Sequence, residues 1–281
     1  MPYERELEAA IEIAESAGRL TLEYFGTPLD VETKSDRSPV TVADRKAEKL
    51  IRQRLADSFP DDGQLGEEFG EKAGASARRW IIDPIDGTQS FIRGVPLYGV
   101  LLGLEDEGRC VVGVMCFPPL SETYWAASGG PAYRNGTVVR VADHTSLGDA
   151  TLLSSDIKPD QYGDRFADFE RLLGRVGRYR GWGDCYGYAL VASGRAEIML
   201  DPILCPWDIA AVLPVLEAAG GRFVGWNGEH GAGARSGIGT TAALHDEVRQ
   251  LLRVPAAGGP GMPGSAVRQA PAGSRSRRSG E

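Results

Sequence analysis

The pattern of apolar and polar positions divides the chain into a helical start, a strand-rich middle and a mixed second half. Apolar side chains recur at helical spacing over residues 7–22 and again over residues 43–55. The turn sequence PDDG at residues 60–63 ends the second pattern. We therefore predict two helices before the first strand.

The middle of the chain consists of short apolar or β-branched runs separated by glycine, aspartate, asparagine and proline. The predicted strands are, in order, WIID, YGVLLGLED, CVVGVMCF, ETYWAA and VVRVAD. Helical patterns return in DRFADFERLLGRV, CYGYALVASG and DIAAVLPVLEAAGG, with the strand EIMLD among them. This order predicts an N-terminal α+β half over residues 1–145 and a C-terminal α/β half over residues 146–253.

Residues 254–281 differ from the rest in composition. They are rich in glycine, proline, alanine, serine and arginine and offer few apolar side chains to bury, so a disordered tail is predicted. The SRSRR segment near the end could contact an anion or a nucleic acid, but a solvated tail is the favoured interpretation.

Composition and charge narrow the function classes. The 281 residues are 42% hydrophobic and 25% charged, which is typical of a soluble globular enzyme, and the net charge of −8 disfavours general nucleic-acid binding. The four cysteines lack the spacing of a zinc or redox site. No run resembles a signal peptide or a membrane span, so we expect a cytoplasmic protein without membrane or nucleic-acid partners.

Two carboxylates mark the end of the first buried strand. In WIIDPIDGTQSFIRG, Asp83 and Asp86 follow an apolar run and are followed by Gly87 and Thr88. The carboxyl end of a strand is where open sheets place their sites, and a helix start after Gly87 would direct free N–H groups at an anion such as phosphate. An acidic turn with Asp86 as a helix cap is the simpler alternative for a single Asp-Gly-Thr.

Covalent phosphatase mechanisms are excluded at this motif. Haloacid-dehalogenase-type enzymes attack with an aspartate two residues before the second one, but Pro84 stands there. The Cys-x5-Arg loop of cysteine phosphatases is absent from the sequence. Carboxylates without a protein nucleophile suit hard divalent cations and a water nucleophile.

Further carboxylates could complete such a site. The segment GQLGEEFGE contains Glu67 and Glu68, and CPWDIAA contains Asp208 at the start of a helix. Taken alone, the first is as well explained by a solvated acidic loop and the second by a helix N-cap. Together with Asp83 and Asp86 they would supply oxygen ligands for two or three Mg²⁺ ions.

These motifs, in this order and spacing, resemble those of the inositol monophosphatase family. The matching segments are Gly66-Glu67-Glu68, Asp83-Pro84-Ile85-Asp86-Gly87-Thr88, Trp207-Asp208 and Ala218-Ala219-Gly220-Gly221. The resemblance covers about residues 4–252 and implies a Mg²⁺-dependent, lithium-sensitive phosphomonoesterase. It also implies the layered α/β/α/β/α sandwich of inositol monophosphatases and fructose bisphosphatases. Members are commonly dimers, so a homodimer is expected.

The resemblance assigns metal ligands residue by residue. It implies that Glu67, Asp83 and the carbonyl of Ile85 hold one Mg²⁺ ion. A second ion would lie between Asp83, Asp86 and Asp208. In-line attack of a metal-activated water on a phosphomonoester is the implied mechanism, with Glu67 among the catalytic residues.

The resemblance also implies roles at the phosphate. The N–H groups of Gly87 and Thr88 would bind it, and the Thr88 hydroxyl, paired with Asp44, would orient and deprotonate the attacking water. Thr41-Val42-Ala43-Asp44 is also a good capping box for the second helix. On the residues alone the cap is favoured, whereas the resemblance favours the site.

The catalytic motifs are shared within the family, so the residues that contact the leaving group must determine which phosphate ester is the substrate. Asp184 follows Gly183 at a predicted helix start, Asp201 lies seven residues before Asp208, and Ser90 stands where inositol-type members usually have asparagine. This set resembles the histidinol-phosphate phosphatases of the family, enzymes of histidine biosynthesis. Histidinol carries an ammonium and an imidazole, which suit acidic partners.

Three alternatives stay open at this point. Asp184 is nearly as well explained as a helix N-cap. An inositol-1-monophosphatase of broad specificity is the second candidate for the activity. A non-catalytic scaffold of the same fold is the third reading, although the complete carboxylate set argues against it.

Overall fold

The computed structural model describes residues 2–34 and 38–255. Its helices are α1 (Glu4–Leu22), α2 (Val42–Ser58), α3 (Thr88–Phe91), α4 (Pro159–Tyr162), α5 (Phe166–Leu173), α6 (Asp184–Ala192), α7 (Pro206–Ala210), α8 (Val212–Ala218) and α9 (His245–Leu251). The strands of the first half are β1 (Glu32–Thr33), β2 (Pro39–Val40), β3 (Gly63–Gly66), β4 (Gly70–Lys72), β5 (Arg79–Asp86), β6 (Gly99–Asp106), β7 (Arg109–Phe117), β8 (Glu122–Ala127), β9 (Tyr133–Arg134) and β10 (Thr137–Val138). The remaining strands are β11 (Thr151–Ser154), β12 (Arg178–Arg180), β13 (Ile198–Asp201), β14 (Gly221–Val224) and β15 (Gly237–Thr241).

Within these residues the strands form two large sheets and one small pair. The larger sheet has the order β10-β9-β8-β7-β6-β5-β3-β4 and is antiparallel except for the parallel pair β3 and β5. The second sheet has the order β12-β11-β13-β15-β14. Strands β12, β11 and β13 are parallel to one another, and β15 is antiparallel to both of its neighbours, β13 and β14. Strands β1 and β2 pair only with each other.

Helices fill the spaces around and between the sheets. One apolar cluster joins α1 and α2 to an outer face of the larger sheet, and a second joins α6 and α8 to both sheets. A third cluster joins α5 and α9 to the other face of the second sheet. The result is a five-layer α/β/α/β/α sandwich, which confirms the predicted fold. No helix in the described part of the chain is long and apolar enough to cross a membrane.

Three local predictions were wrong. The β1 and β2 pair lies between α1 and α2, so a strand precedes the second helix. Asp83 lies within β5 rather than at its end, because the strand continues through a register shift to Asp86. Only the start of VVRVAD is a strand: beyond it the Val141 N–H bonds to the Ala219 carbonyl, so the chain leaves the sheet edge and crosses to the end of α8.

The chain passes from one sheet to the other between β10 and β11, an interval that contains the predicted division near residue 145. That the halves are domains stays a prediction, because the cluster around α6 and α8 contains residues of both. Val254 was assigned to the tail, yet it is buried in the cluster around α5 and α9. Residues 256–281 of the predicted tail lie outside the described residues.

Two paired glycines allow a helix to approach the larger sheet closely. Gly103 in β6 is directly opposite Gly113 in β7. A Cβ atom on Gly113 would lie 2.2 Å from the Ala211 carbonyl oxygen, and one on Gly103 would lie 2.7 Å from the Ala210 carbonyl carbon. Backbone cannot move aside as a flexible side chain can. The glycine pair therefore sets the position of α7, which carries Asp208.

We expect Gly113→Ala to destabilise the protein by about 3 kcal/mol, because the added methyl group overpacks against backbone. Activity should fall further than the loss of folded protein explains, since α7 would be displaced with Asp208. Chemical denaturation and assays on the folded fraction measure the two effects. Gly233→Ala is the matched control, because no atom lies within 4 Å of a Cβ there. Equal stability of the two variants would contradict this account.

Candidate active site

Three of the predicted metal ligands come together in the structure. One carboxylate oxygen from each of Asp83, Asp86 and Asp208 lies within 4.8 Å of the other two. Asp83 is 1% exposed, while Asp86 and Asp208 are partly exposed. The cluster joins a strand of the larger sheet to a helix from the second half of the chain.

The end of β5 places its two acids through backbone hydrogen bonds. The Ile85 N–H donates to Asp83 Oδ1 at 3.0 Å, across the register shift that separates Asp83 from Asp86. The Cys185 N–H, near the start of α6, donates to Asp86 Oδ2 at 2.7 Å. The register shift lets the two acids bring carboxylate oxygens within 4.8 Å of each other although they lie three residues apart on a strand.

Asp208 is the third residue of α7 rather than its N-cap. It forms a capping box with Cys205, whose N–H donates to Asp208 Oδ2 at 2.7 Å. The bond uses one carboxylate oxygen to hold the helix start and leaves the other for the cluster. The N-cap interpretation of Asp208 was therefore wrong in position, and its capping role coexists with membership of the cluster.

The acidic cluster is electrostatically strained. Burial, and then repulsion by Glu67 and Asp86, raise the pKa of Asp83 well above its usual range. Burial, and then Asp184 and Asp208, do the same to the pKa of Asp86. Burial raises the pKa of Asp208 to about 6. Several negative charges close together in a poorly solvated cleft cost free energy unless protons or a cation neutralise them.

Glu67 lies near the cluster but is bound to a cationic side chain. The Lys34 ammonium donates to Glu67 Oε1 at 2.6 Å and to Glu68 Oε1 at 2.5 Å. Burial raises the pKa of Glu67, and Lys34 opposes that rise. Glu67 also acts electrostatically on Asp83, so it belongs to the same charged region. The solvated-loop alternative for these two glutamates does not hold, because both are partly buried and paired.

The predicted pair between Thr88 and Asp44 is not formed. The Thr88 hydroxyl donates to the Ile85 carbonyl at 3.0 Å. Asp44 Oδ2 accepts from the N–H and the hydroxyl of Thr41, at 2.8 and 2.6 Å, which is the capping box of α2. A threonine that begins a helix after a tight turn reaches the carbonyl three residues back more readily than a side chain on another helix. Asp44 still lies close enough to raise the pKa of Asp83.

The turn at Gly87 lies beside the cluster. Gly87 has φ 83°, a conformation that glycine adopts at low cost, and it is the N-cap of the short helix α3. The first N–H groups of a helix have no acceptor within it. A Cβ on Gly87 would lie 3.0 Å from Asp184 Oδ2, so Asp184 faces this turn from α6.

A cleft of about 110 Å³ contains most of the predicted site acids. Its lining includes Asp86, Asp184, Asp201 and Asp208, together with apolar groups of Ile203 and Leu204. Ser90, predicted to bind substrate, is not among the lining residues, and its N–H donates to the Gly87 carbonyl within the turn. Two of the predicted metal ligands, Asp86 and Asp208, therefore share one cleft with Asp184 and Asp201.

Asp184 does not cap its helix. The N-cap of α6 is Gly183, and no side chain makes a capping hydrogen bond there. Asp184 has φ 51°, in the left-handed region that residues other than glycine seldom adopt. Burial raises the pKa of Asp184 to about 6. Strained backbone that carries a partly buried acid into a cleft is typical of functional positions.

Ser155 was not predicted from the sequence; it links Asp184 and Asp201, the two acids predicted to bind substrate. Its Oγ accepts from the Asp184 N–H at 2.9 Å and donates to Asp201 Oδ1. Ser155 follows β11 and Asp201 ends β13, two neighbouring parallel strands. The apolar Leu152 and Leu153 before Ser155, typical of a buried strand, were the signal for it. Lys34 had no comparable signal in the sequence.

Asp201 is buried with incomplete hydrogen bonding. It is 2% exposed, and its Oδ2 and the Tyr188 hydroxyl form no hydrogen bond of normal geometry with a described residue. Burial raises the pKa of Asp201 to about 7, and the Ser155 and Tyr188 hydroxyls oppose that rise.

We expect Asp201→Asn to change the pH dependence of stability. The folded protein holds the Asp201 proton more tightly than the unfolded chain, where the pKa is near 3.8. This group's contribution is complete below pH 4 and is lost as the pH rises to about 7. At about 1.36 kcal/mol per pKa unit, the stability of the variant relative to wild type should rise over that window by at most about 4 kcal/mol. Denaturant unfolding of both metal-free proteins between pH 4 and 8 measures it, and a constant difference would refute the assignment.

The donor set of the cluster fits a hard divalent cation. Asp83, Asp86 and Asp208 offer only carboxylate oxygens, the ligands that Mg²⁺ prefers. A cation there would also relieve the repulsion that raises their pKa values. The Ile85 carbonyl, predicted as a ligand, accepts the Thr88 hydroxyl. A carbonyl oxygen has a second lone pair, so this bond leaves it able to bind a cation.

Comparison with known proteins agrees with this fold. The sequence profile of the inositol monophosphatase family matches residues 3–254. A protein of Chlorobaculum parvum named histidinol-phosphatase is 50% identical over 226 residues, or 79% of this chain and 86% of that protein. A histidinol-phosphatase of Mycobacterium tuberculosis is 39% identical over 88% of this chain and 97% of that protein.

Solved structures show the same architecture. An inositol monophosphatase from Zymomonas mobilis superimposes with a TM-score of 0.81 over 90% of this chain and 100% of that chain, at 29% identity. The profile covers every element that contributes to the acidic cleft. The chain is therefore a member of the inositol monophosphatase family.

Proposed function

We propose that this chain hydrolyses histidinol phosphate to histidinol and phosphate with Mg²⁺ as cofactor. As a member of its family, the chain is a phosphoric monoester hydrolase. The observation that carries the proposal is the acidic cleft, where two of the three clustered carboxylates, Asp86 and Asp208, line the same space as Asp184 and Asp201. The two relatives named histidinol-phosphatase support the choice of substrate.

The three clustered aspartates, with Glu67 and the Ile85 carbonyl, would hold the Mg²⁺ ions. Bound there, Mg²⁺ would activate water and offset negative charge on the phosphate. The number of ions, two or three, belongs to the proposal. For Glu67 to bind a cation, its side chain must exchange Lys34 for the metal or share its oxygens between them.

The Gly87 turn would bind the phosphate through the N–H groups of Gly87 and Thr88. The Thr88 hydroxyl would orient the attacking water, and Asp44, close to the cluster, would accept its proton. In the structure that hydroxyl donates to the Ile85 carbonyl, so it must rotate to act this way. Reorientation of one hydroxyl-bearing side chain is a small change.

Asp184 and Asp201 would bind the cationic leaving group. Histidinol carries an ammonium and an imidazole, and both donate hydrogen bonds that an acidic cleft can accept. Ser155 holds the two acids relative to each other. An uncharged polyol such as inositol would leave these carboxylates without a charged partner, which favours the amine.

A substrate panel tests the assignment directly. With saturating Mg²⁺, kcat/KM should be higher for histidinol phosphate than for inositol 1-phosphate or fructose 1,6-bisphosphate. Preference for inositol 1-phosphate would support the second candidate activity, and absence of Mg²⁺-dependent phosphate release from all three would support a scaffold role.

Asp86→Asn should raise the melting temperature of the metal-free protein while lowering turnover by at least about 100-fold. The amide keeps the shape and can still accept from Cys185, but it removes a negative charge from the strained cluster. It also removes a ligand, so the increase in melting temperature caused by Mg²⁺ should shrink. Thermal melts with and without Mg²⁺, and phosphate release, measure these effects. An exposed-acid control, Asp164→Asn, should change none of them; near-wild-type turnover in Asp86→Asn would show that the cluster is not the metal site.

Asp184→Asn should lower kcat/KM for histidinol phosphate much more than for glycerol phosphate. A hydrogen bond to a charged group contributes about 1.5 to 3 kcal/mol, or roughly 10- to 100-fold in relative specificity. Any effect of Asp184 on the neighbouring Asp86 should lower kcat/KM for both substrates alike, so it cancels in the ratio of the two kcat/KM values. Equal relative losses on one folded preparation would refute the specificity role of Asp184.

A further inference from the structure

We propose that Glu48 is a positioning residue that fixes the turn carrying Glu67 for cation binding. Glu48 lies on α2 and contacts neither the clustered aspartates nor the cleft lining. Its role is argued from the backbone that it holds. The inference rests on the proposed function, in which Glu67 is a cation ligand.

The Glu48 side chain is fully buried and binds the backbone just after Glu67. Its Oε2 accepts from the Glu68 N–H at 2.7 Å, and its Oε1 accepts from the Phe69 N–H at 3.2 Å. These are the two amides that follow Glu67 in the turn between β3 and β4. A charged acceptor on consecutive amides restricts the backbone there more than a neutral one would.

Arg52 also binds the turn, together with Glu48. Its Nε donates to Glu48 Oε1 at 2.7 Å, one helical turn along α2, and its Nη2 donates to the Gly70 carbonyl. The ion pair thus binds N–H groups on one side of the turn and a carbonyl on the other. A buried carboxylate needs such partners, because an unpaired one would be strongly destabilising.

Gly66 shows how closely the turn approaches Glu48. A Cβ on Gly66 would lie 2.1 Å from Glu48 Oε1 and 2.9 Å from Arg52 Nη2. Any side chain there would push the ion pair away from the amides. Because α2 also carries Asp44 at its first turn, one helix sets the positions of both Asp44 and Glu67.

The side chain of Glu67 has a separate partner. Lys34 binds the carboxylates of Glu67 and Glu68, whereas Glu48 and Arg52 bind only the backbone of the turn. Exchange of Lys34 for a cation would therefore leave the backbone anchor in place. Metal-site residues that orient a ligand in this way typically change metal affinity by about 10- to 100-fold when replaced.

The test compares Mg²⁺ binding in three variants by the dependence of melting temperature on Mg²⁺ concentration. Glu67→Gln is the reference that removes the ligand itself. Glu48→Gln should raise by about 10- to 100-fold the Mg²⁺ concentration at which the melting temperature begins to increase. Asp62→Asn is the matched control: Asp62 is also buried and bound to an arginine, but it lies before β3 rather than after it. It should lower stability and leave the Mg²⁺ dependence close to wild type.

A structural readout accompanies the binding measurement. In metal-free Glu48→Gln the amides of Glu68 and Phe69 should exchange hydrogen with solvent faster than in wild type, and in Asp62→Asn they should not. Gly66→Ala should weaken Mg²⁺ binding by about as much as Glu48→Gln does. The double variant should bind Mg²⁺ no more weakly than either single variant, because both changes disturb the same contact. If Glu48→Gln does not fold, Gly66→Ala tests the positioning role instead: weakened Mg²⁺ binding supports it, and wild-type Mg²⁺ binding overturns it.

The outcomes separate this inference from the proposed function. Wild-type Mg²⁺ dependence in Glu48→Gln, with weakened binding in Glu67→Gln, overturns the positioning role and leaves the metal site intact. Wild-type dependence in Glu67→Gln overturns the ligand role of Glu67 and the positioning role with it. Equal weakening in Glu48→Gln and Asp62→Asn also overturns the inference, because it would reflect general loss of stability.

Discussion

The close approach of α7 to the larger sheet is the constraint on which the site depends. Gly103 and Gly113 leave no side chain between β6, β7 and the backbone around Ala210, so the helix lies against the strands. Asp208, two residues before Ala210, is thereby brought within 4.8 Å of acids on β5. Without that contact Asp208 would be absent from the cluster, and Asp83 and Asp86 would lack the carboxylate that the second half of the chain supplies.

The clustered carboxylates lower the stability of the metal-free protein. Each backbone N–H that binds Asp83, Asp86 or Asp208 offsets part of the desolvation, yet the pKa of each acid remains raised. Such strain is expected where function requires charge in a poorly solvated cleft. The same acids that weaken the metal-free protein would bind a cation tightly, so stability and cofactor binding are coupled through one set of side chains.

The two large sheets divide the chemistry between them. The larger sheet supplies Asp83, Asp86 and the Gly87 turn, which are assigned to metal and phosphate. The parallel strands of the second sheet end at Ser155 and Asp201, and the adjoining α6 begins at Asp184; these are assigned to the leaving group. Variation in the second set could change the substrate while the first set keeps the reaction, which is consistent with one family containing relatives named for different phosphate esters.

The sequence by itself determined the elements and the chemical class. Helical spacing and the apolar run before Asp83 predicted helices, strands and an acidic site, because periodicity and strand ends are local properties. The five-layer sandwich was implied by the resemblance of the acidic motifs to those of the inositol monophosphatase family. The tertiary structure decided which groups meet. Asp44 caps α2 and Thr88 bonds to Ile85, Lys34 binds Glu67, and Ser155 joins Asp184 to Asp201. Some of these residues have several possible partners, and others lie far apart in the chain. Which contacts form is therefore decided by how the helices and sheets pack.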